Sequence, residues 1–216
     1  MKTKTLLACG IIGGPVFVLA FLVEGAARAN YDPLRHPVSS LALGDSGWTQ
    51  TTNFIVTGLL TLALAAGLWR TLRPGKGSTW GPLLVGVWAV GLLGAGVFVT
   101  DPVSGYPPGT PDRLSGNSWH GGLHDLFSLL GFVSLAAACF TFGRWFTGRG
   151  KRGWALYSAV SGVVFAVAFV LSSAGFAQVA GLVDLAGLLQ RVAVTIGFCW
   201  LTLLAIHVLR GLYSER

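Results

Sequence analysis

Five side chains carry the groups that could do chemistry in this chain: His36, Asp101, His120, His124 and Asp125. His120 and His124 stand at i and i+4, so they share one face of any helix that begins by Trp119. Asp125 lies one residue's rotation away. Three chemistries fit such a set. Two histidines and a carboxylate suit zinc with an open position for water, but Gly121 stands where the metalloprotease helix signature needs Glu, and no metal ligand is assigned. Carboxyl groups desolvated by burial and oriented by imidazole suit general acid–base catalysis. A hydrogen-bonded lid that satisfies irregular backbone at the end of a bundle needs the same residues and no reaction. Ser39 and Ser40 follow His36 closely, but no elbow motif frames either, and a turn or cap role is expected of both.

Glu24 and Arg191 join the set because ionisable groups near membrane depth are costly and face partners inside a bundle. Arg191 has two readings: a salt bridge with Asp184, Asp101 or Glu24, or a guanidinium fork for an anionic head group or diphosphate. Glu24 is a third acid beside Asp101 and Asp125. Trp48, Tyr106 and Trp119 flank these positions and are expected to contact a substrate together with Arg191.

The elements that position these residues follow from composition. Of 216 residues, 53% are hydrophobic and only 11% charged, where a soluble domain carries roughly a quarter charged. That shortfall excludes a soluble globular enzyme, and the hydrophobicity excludes disorder. The net charge of +7 does not mark a nucleic-acid binder, whose basic residues cluster on one solvent face; here they fall in small groups between apolar runs. Six runs approach the 20 or so residues of a membrane span: Thr5–Val23, Asn53–Leu72, Trp80–Thr100, Leu123–Phe142, Ala155–Ser173 and Leu188–Leu209. None alternates at period two, which excludes an outer-membrane barrel.

Charge sets the orientation. Lys2, Lys4, Arg70, Arg73, Lys76, Arg144, Arg149, Lys151, Arg152, Arg210 and Arg216 fall on one side, which the positive-inside rule makes cytoplasmic, with both termini. Every acid but Glu215, and three of the four histidines, fall at the other face. The N-terminal apolar run is too long for a signal-peptide core, so an uncleaved first span is expected. Cys9, Cys139 and Cys199 sit inside spans as small hydrophobes, and the boundary tryptophans read as an interfacial belt. The expected architecture is all-α: one domain, a six-helix membrane bundle with two structured extracytoplasmic loops, Glu24–Gln50 and Asp101–Trp119. Prolines and glycines give the second loop a definite shape.

Three strings carry a resemblance. His36-Pro37-Val38-Ser39-Ser40-Leu41-Ala42-Leu43-Gly44, then Asp101-Pro102 with Gly105-Tyr106-Pro107-Pro108-Gly109-Thr110-Pro111, then His120 through Asp125 resemble the bacterial integral-membrane family called domain of unknown function 998. The similarity extends to Gln190-Arg191 and Trp200. It implies a six-helix membrane protein of a kind common in actinobacteria, and it implies no activity.

Two functions remain open from sequence. One is an enzyme acting on a membrane lipid or isoprenoid in the outer half of the bilayer, in the manner of a small terpene cyclase. Asp101, Asp125 or Glu24 would supply the proton, and some of the 25 aromatic residues would face a cation; a histidine-bound metal hydrolase is its enzymatic rival. The other is a non-catalytic scaffold or lipid-binding protein. No cofactor is assigned, and the oligomeric state is open.

Overall fold

Inside a bilayer every backbone polar group needs an internal partner, so apolar runs of this length fold as helices. The computed structural model describes residues 2–72 and 78–214. It contains α1 (Thr3–Ala27), α2 (Gly47–Thr71), α3 (Trp80–Val97), α4 (Trp119–Thr147), α5 (Arg152–Phe176) and α6 (Ala186–Ser214). All six are long and apolar enough to cross a membrane. Even α3, with 18 residues, spans about 27 Å, close to the roughly 30 Å hydrocarbon core. No strand forms among the described residues, only an isolated bridge between Val103 and Tyr106. The chain is thus an all-α, multi-pass membrane-type protein. Of the residues used for orientation, Arg73, Lys76, Glu215 and Arg216 lie outside the described residues.

Neighbours in sequence pack as neighbours in space, and α6 returns to pack on α1, closing the six into a ring. The ring is held from small residues rather than large ones. Lipid tails are as apolar as leucine, so helices associate in a bilayer through close approach. Leu19, Leu59, Val133 and Val163 accordingly point outward, each more than half exposed. Where α3 meets α4, a Cβ on Gly91 would lie 2.8 Å from the Phe127 carbonyl and 2.9 Å from Gly131 Cα. No larger residue allows that crossing.

Aromatic rings fill the middle. Trp88 meets Phe132, Phe165 and Phe198 at centroid distances of 5.5, 6.2 and 5.7 Å, and Phe17 meets Phe198 at 5.0 Å. A buried polar stripe on α2, Gln50, Asn53, Thr57 and Thr61, also faces inward. The boundary tryptophans Trp48, Trp80 and Trp119 are among the most exposed side chains, as a belt requires. Of the cysteines, only Cys139 is buried, while Cys199 is exposed.

Two spans start earlier than hydropathy alone sets them. The polar first turns of α2 and α4 are helical before the apolar run begins; at α4 the Ser118 side chain accepts from the Gly121 N–H and fixes the start, whereas the Ser46 side chain makes no such bond at the start of α2. Ser39 and Ser40 lie within a 3₁₀ turn, Val38–Ala42, and neither side chain caps a helix.

Candidate functional site

At the loop-bearing end the ring is not filled. A cavity of about 530 Å³ lies beneath the second loop, between Phe17, Phe54, Trp88, Phe132, Phe169 and Phe176 below and Asp101, Arg113, Asn117, His124 and Asp125 above. That volume falls within the roughly 300–1,000 Å³ of small-molecule sites, and an apolar body with a few converging polar groups is their usual chemistry. Three of the ten residues singled out from sequence line it: Asp101, His124 and Asp125.

The helix ends around the cavity account for the His/Asp motif. The last carbonyls of α3 have no helical partner. His124 Nδ1 meets the Phe98 carbonyl at 2.8 Å and the Ala95 carbonyl at 3.2 Å, and His120 Nδ1 meets the Val99 carbonyl at 3.0 Å. A carbonyl only accepts, so each Nδ1 carries the proton, and in the neutral ring Nε2 is left as the basic atom. The i, i+4 spacing therefore places two donors under the end of α3, one turn apart.

Asp101 performs the reciprocal task at the start of α4. Its carboxylate accepts from the Ser118 backbone N–H at 2.7 Å and from the Ser118 hydroxyl at 2.6 Å, while Ser118 Oγ accepts from the Gly121 N–H at 3.0 Å. A negative charge here also suits the positive end of the helix. Gly121 is required, because a Cβ there would collide with the Asp101 carboxyl group. It occupies the metalloprotease glutamate position for that steric reason. No group of three or more His, Cys, Asp or Glu side chains is placed to hold a metal among the described residues.

Asp125 differs from Asp101. It is exposed at the cavity mouth, and its one hydrogen bond among the described residues, from Asn117 Nδ2, is long at 3.4 Å.

The remaining residues build the frame. His36 is buried in the first loop, where its Nδ1 accepts from the Asp32 N–H at 2.9 Å. Its ring lies against Tyr106 at 5.1 Å and Tyr31 at 5.5 Å. Burial holds the imidazole below its usual pKa, against the pull of the Asp32 charge. Tyr106 is buried in this cluster rather than facing the cavity. Trp48 and Trp119 project outward.

Among the described residues Arg191 has no acidic partner, contrary to the expected pairing with Asp184, Asp101 or Glu24. Its guanidinium donates to the His36 and Gly187 carbonyls, each at 3.0 Å, and to the Tyr31 hydroxyl. Asp184 pairs instead with Arg35. The sequence order hides this, because Gly187 lets the first-loop backbone lie directly on α6: a Cβ there would sit 2.5 Å from the His36 carbonyl. The Tyr31 phenol, pushed by burial up to about 12 despite Arg191, donates in turn to the Pro37 carbonyl at 2.9 Å. Glu24 also lies apart from the cavity, near Thr49 and Arg28.

Several lining residues were not singled out from sequence: Arg113, Asn117, Ser128 and Ser172. Ser128 was legible, since it stands four residues after His124 and so on the same face. Arg113 and Asn117 were not, because a loop has no period. They belong to a strap pinned at both ends. At one end Asp112 binds Arg35 at 2.8 Å, and its carbonyl accepts from the Ser104 N–H at 2.9 Å. At the other, Ser118 binds Asp101. Residues 113–117 between them form the rim.

A family model described as protein of unknown function (DUF998) matches residues 11–207, a span that includes both loops and the cavity. No curated protein and no solved structure matches the chain. With most of its length matched, the chain belongs to the DUF998 family of proteins of unknown function.

Proposed function

We propose that the cavity binds the chain of a membrane lipid, acyl or isoprenoid, and that Asp125 and His124 perform acid–base chemistry on its polar end. The observation that carries this reading is the cavity's division: six aromatic rings below, and above them an imidazole fixed through Nδ1 by the α3 end and an exposed carboxylate. In that arrangement His124 Nε2 accepts a proton and Asp125 exchanges one with the reacting group. A catalytic base needs its acceptor atom free and its ring fixed, and the α3 carbonyls supply the fixing. On the positive-inside assignment this mouth faces the extracytoplasmic side.

Asp101 takes no part in this chemistry, because Ser118 holds it as a cap. Among the described residues the ring-lined floor contains no acid, so proton transfer at the mouth fits this site better than carbocation initiation in the floor. A second reading, lipid binding without turnover, draws on the capping roles of Asp101, His120 and His124, which explain the motif without a reaction. The test is to incubate purified protein with membrane lipid and polyprenyl extracts and to follow chemical change by mass spectrometry. Turnover that disappears in Asp125→Asn and in His124→Gln, both still folded, is the expected result. Lipid bound but unchanged by wild-type protein would establish the second reading instead.

A further inference from the structure

Charge at the cavity mouth says which head group it takes. Of the four arginines at this end, three are committed. Arg28 donates to the carbonyls of Leu41, Leu43 and Ser46. Arg35 holds Asp112 and Asp184. Arg191 holds His36, Gly187 and Tyr31. The fourth, Arg113, lies on the rim and forms no ion pair among the described residues. Asp125 also lines the cavity; among the described residues it has only the long bond from Asn117 and no ion pair. The two opposite charges border one cavity without neutralising each other.

A free guanidinium at a lipid site forks a phosphodiester. A head group with phosphate alone would satisfy Arg113 but bring its negative charge into the cavity that Asp125 and Asp101 also line, and like charges in one site repel. A head group bearing a phosphate and an ammonium satisfies both rims. The ammonium must also carry hydrogens, because Asp125 is a hydrogen-bond acceptor and a quaternary ammonium has nothing to donate.

Resting on the lipid-chain reading above, we infer that the cavity takes an aminophospholipid whose phosphate meets Arg113 and whose primary ammonium meets Asp125.

The experiment uses the full chain in nanodiscs of equimolar phosphatidylethanolamine, phosphatidylglycerol and phosphatidylcholine, released for native mass spectrometry. Wild-type protein should retain phosphatidylethanolamine over phosphatidylglycerol by about fivefold, the ratio expected of one partly screened charge pair. Asp125→Asn should level that ratio, and Arg113→Gln should lower retention of both phospholipids. Equal retention of the three lipids by wild type, or preference for phosphatidylglycerol or for an added polyprenyl phosphate, overturns the head-group assignment and leaves the chain reading standing. No retained lipid at all overturns the chain reading. Glycerophosphoethanolamine, the head without chains, should not displace the bound lipid. If it does so at equal concentration, the ligand is a free aminophosphate and the phospholipid assignment fails.

Discussion

The clearest way to separate Asp101 the helix cap from Asp101 the proton donor is a double-mutant cycle with Gly121. Asp101→Ala removes two charge-assisted bonds to Ser118, at 2.7 and 2.6 Å. Each such bond contributes about 1.5–3 kcal/mol, and discounting for the partial exposure of Asp101 gives a cost of about 3 kcal/mol. Gly121→Ala puts a methyl where the Asp101 carboxyl group stands, so the same bonds are lost. The better helix propensity of alanine returns up to about 1 kcal/mol, leaving a cost of about 2. Independent sites would add to about 5 kcal/mol. With the carboxylate already gone, however, the new methyl fills vacant space, and the double variant should cost about 2, a coupling of about 3 kcal/mol. Equilibrium unfolding in mixed micelles, followed by tryptophan fluorescence, measures all three. Additive costs would refute the cap, and so would an Asp101→Asn variant of wild-type stability with abolished turnover.

Other consequences follow from the frame. Arg35→Gln removes two exposed ion pairs, so its stability cost should be small, about 1 kcal/mol in total. Hydrogen exchange of residues 112–117 should nevertheless rise, and high salt should mimic the substitution. Arg191→Met should cost about 3 kcal/mol, because it strips buried carbonyls and a phenol of a charged donor; a thermal melt unchanged within 1 °C would contradict its role. Folding depresses the His36 pKa through burial, so the unfolded state binds the proton more readily. Stability should be full above about pH 6.5 and fall as the pH drops below it. His36→Asn should flatten that part of the stability–pH curve, and an unaltered slope would place the titration elsewhere.

The helices were legible because an apolar run of some 20 residues suits little besides a membrane span, and the i, i+4 histidines were legible as a shared face. Their purpose was not. Whether His124 points to a metal, a substrate or a carbonyl depends on where α3 ends, and α3 meets α4 only in three dimensions. Arg191 was misassigned for a related reason. Charge complementarity suggests an acidic partner, whereas close packing at Gly187 delivers backbone carbonyls. The buried stripe Gln50, Asn53, Thr57 and Thr61 has a readable helical spacing. Asn53 donates to the Phe17 carbonyl at 3.2 Å, which ties α2 to α1, and residues without ionisable groups draw no attention in a search for acids and bases. Arg113 and Asn117 became visible only when the ion pair at one end and the cap at the other fixed the strap that carries them.

The central claim is that a lipid chain enters the ring from the loop-bearing end. It is tested most directly by photolabelling with a phospholipid that carries a diazirine in its acyl chain, followed by peptide mapping. The account predicts adducts on peptides bearing Trp88, Phe132 and Phe169, which line the cavity, and their loss when Ser128→Phe fills the space. Labelling confined to outward residues such as Leu19, Leu59 and Val163, unchanged by Ser128→Phe, would contradict it.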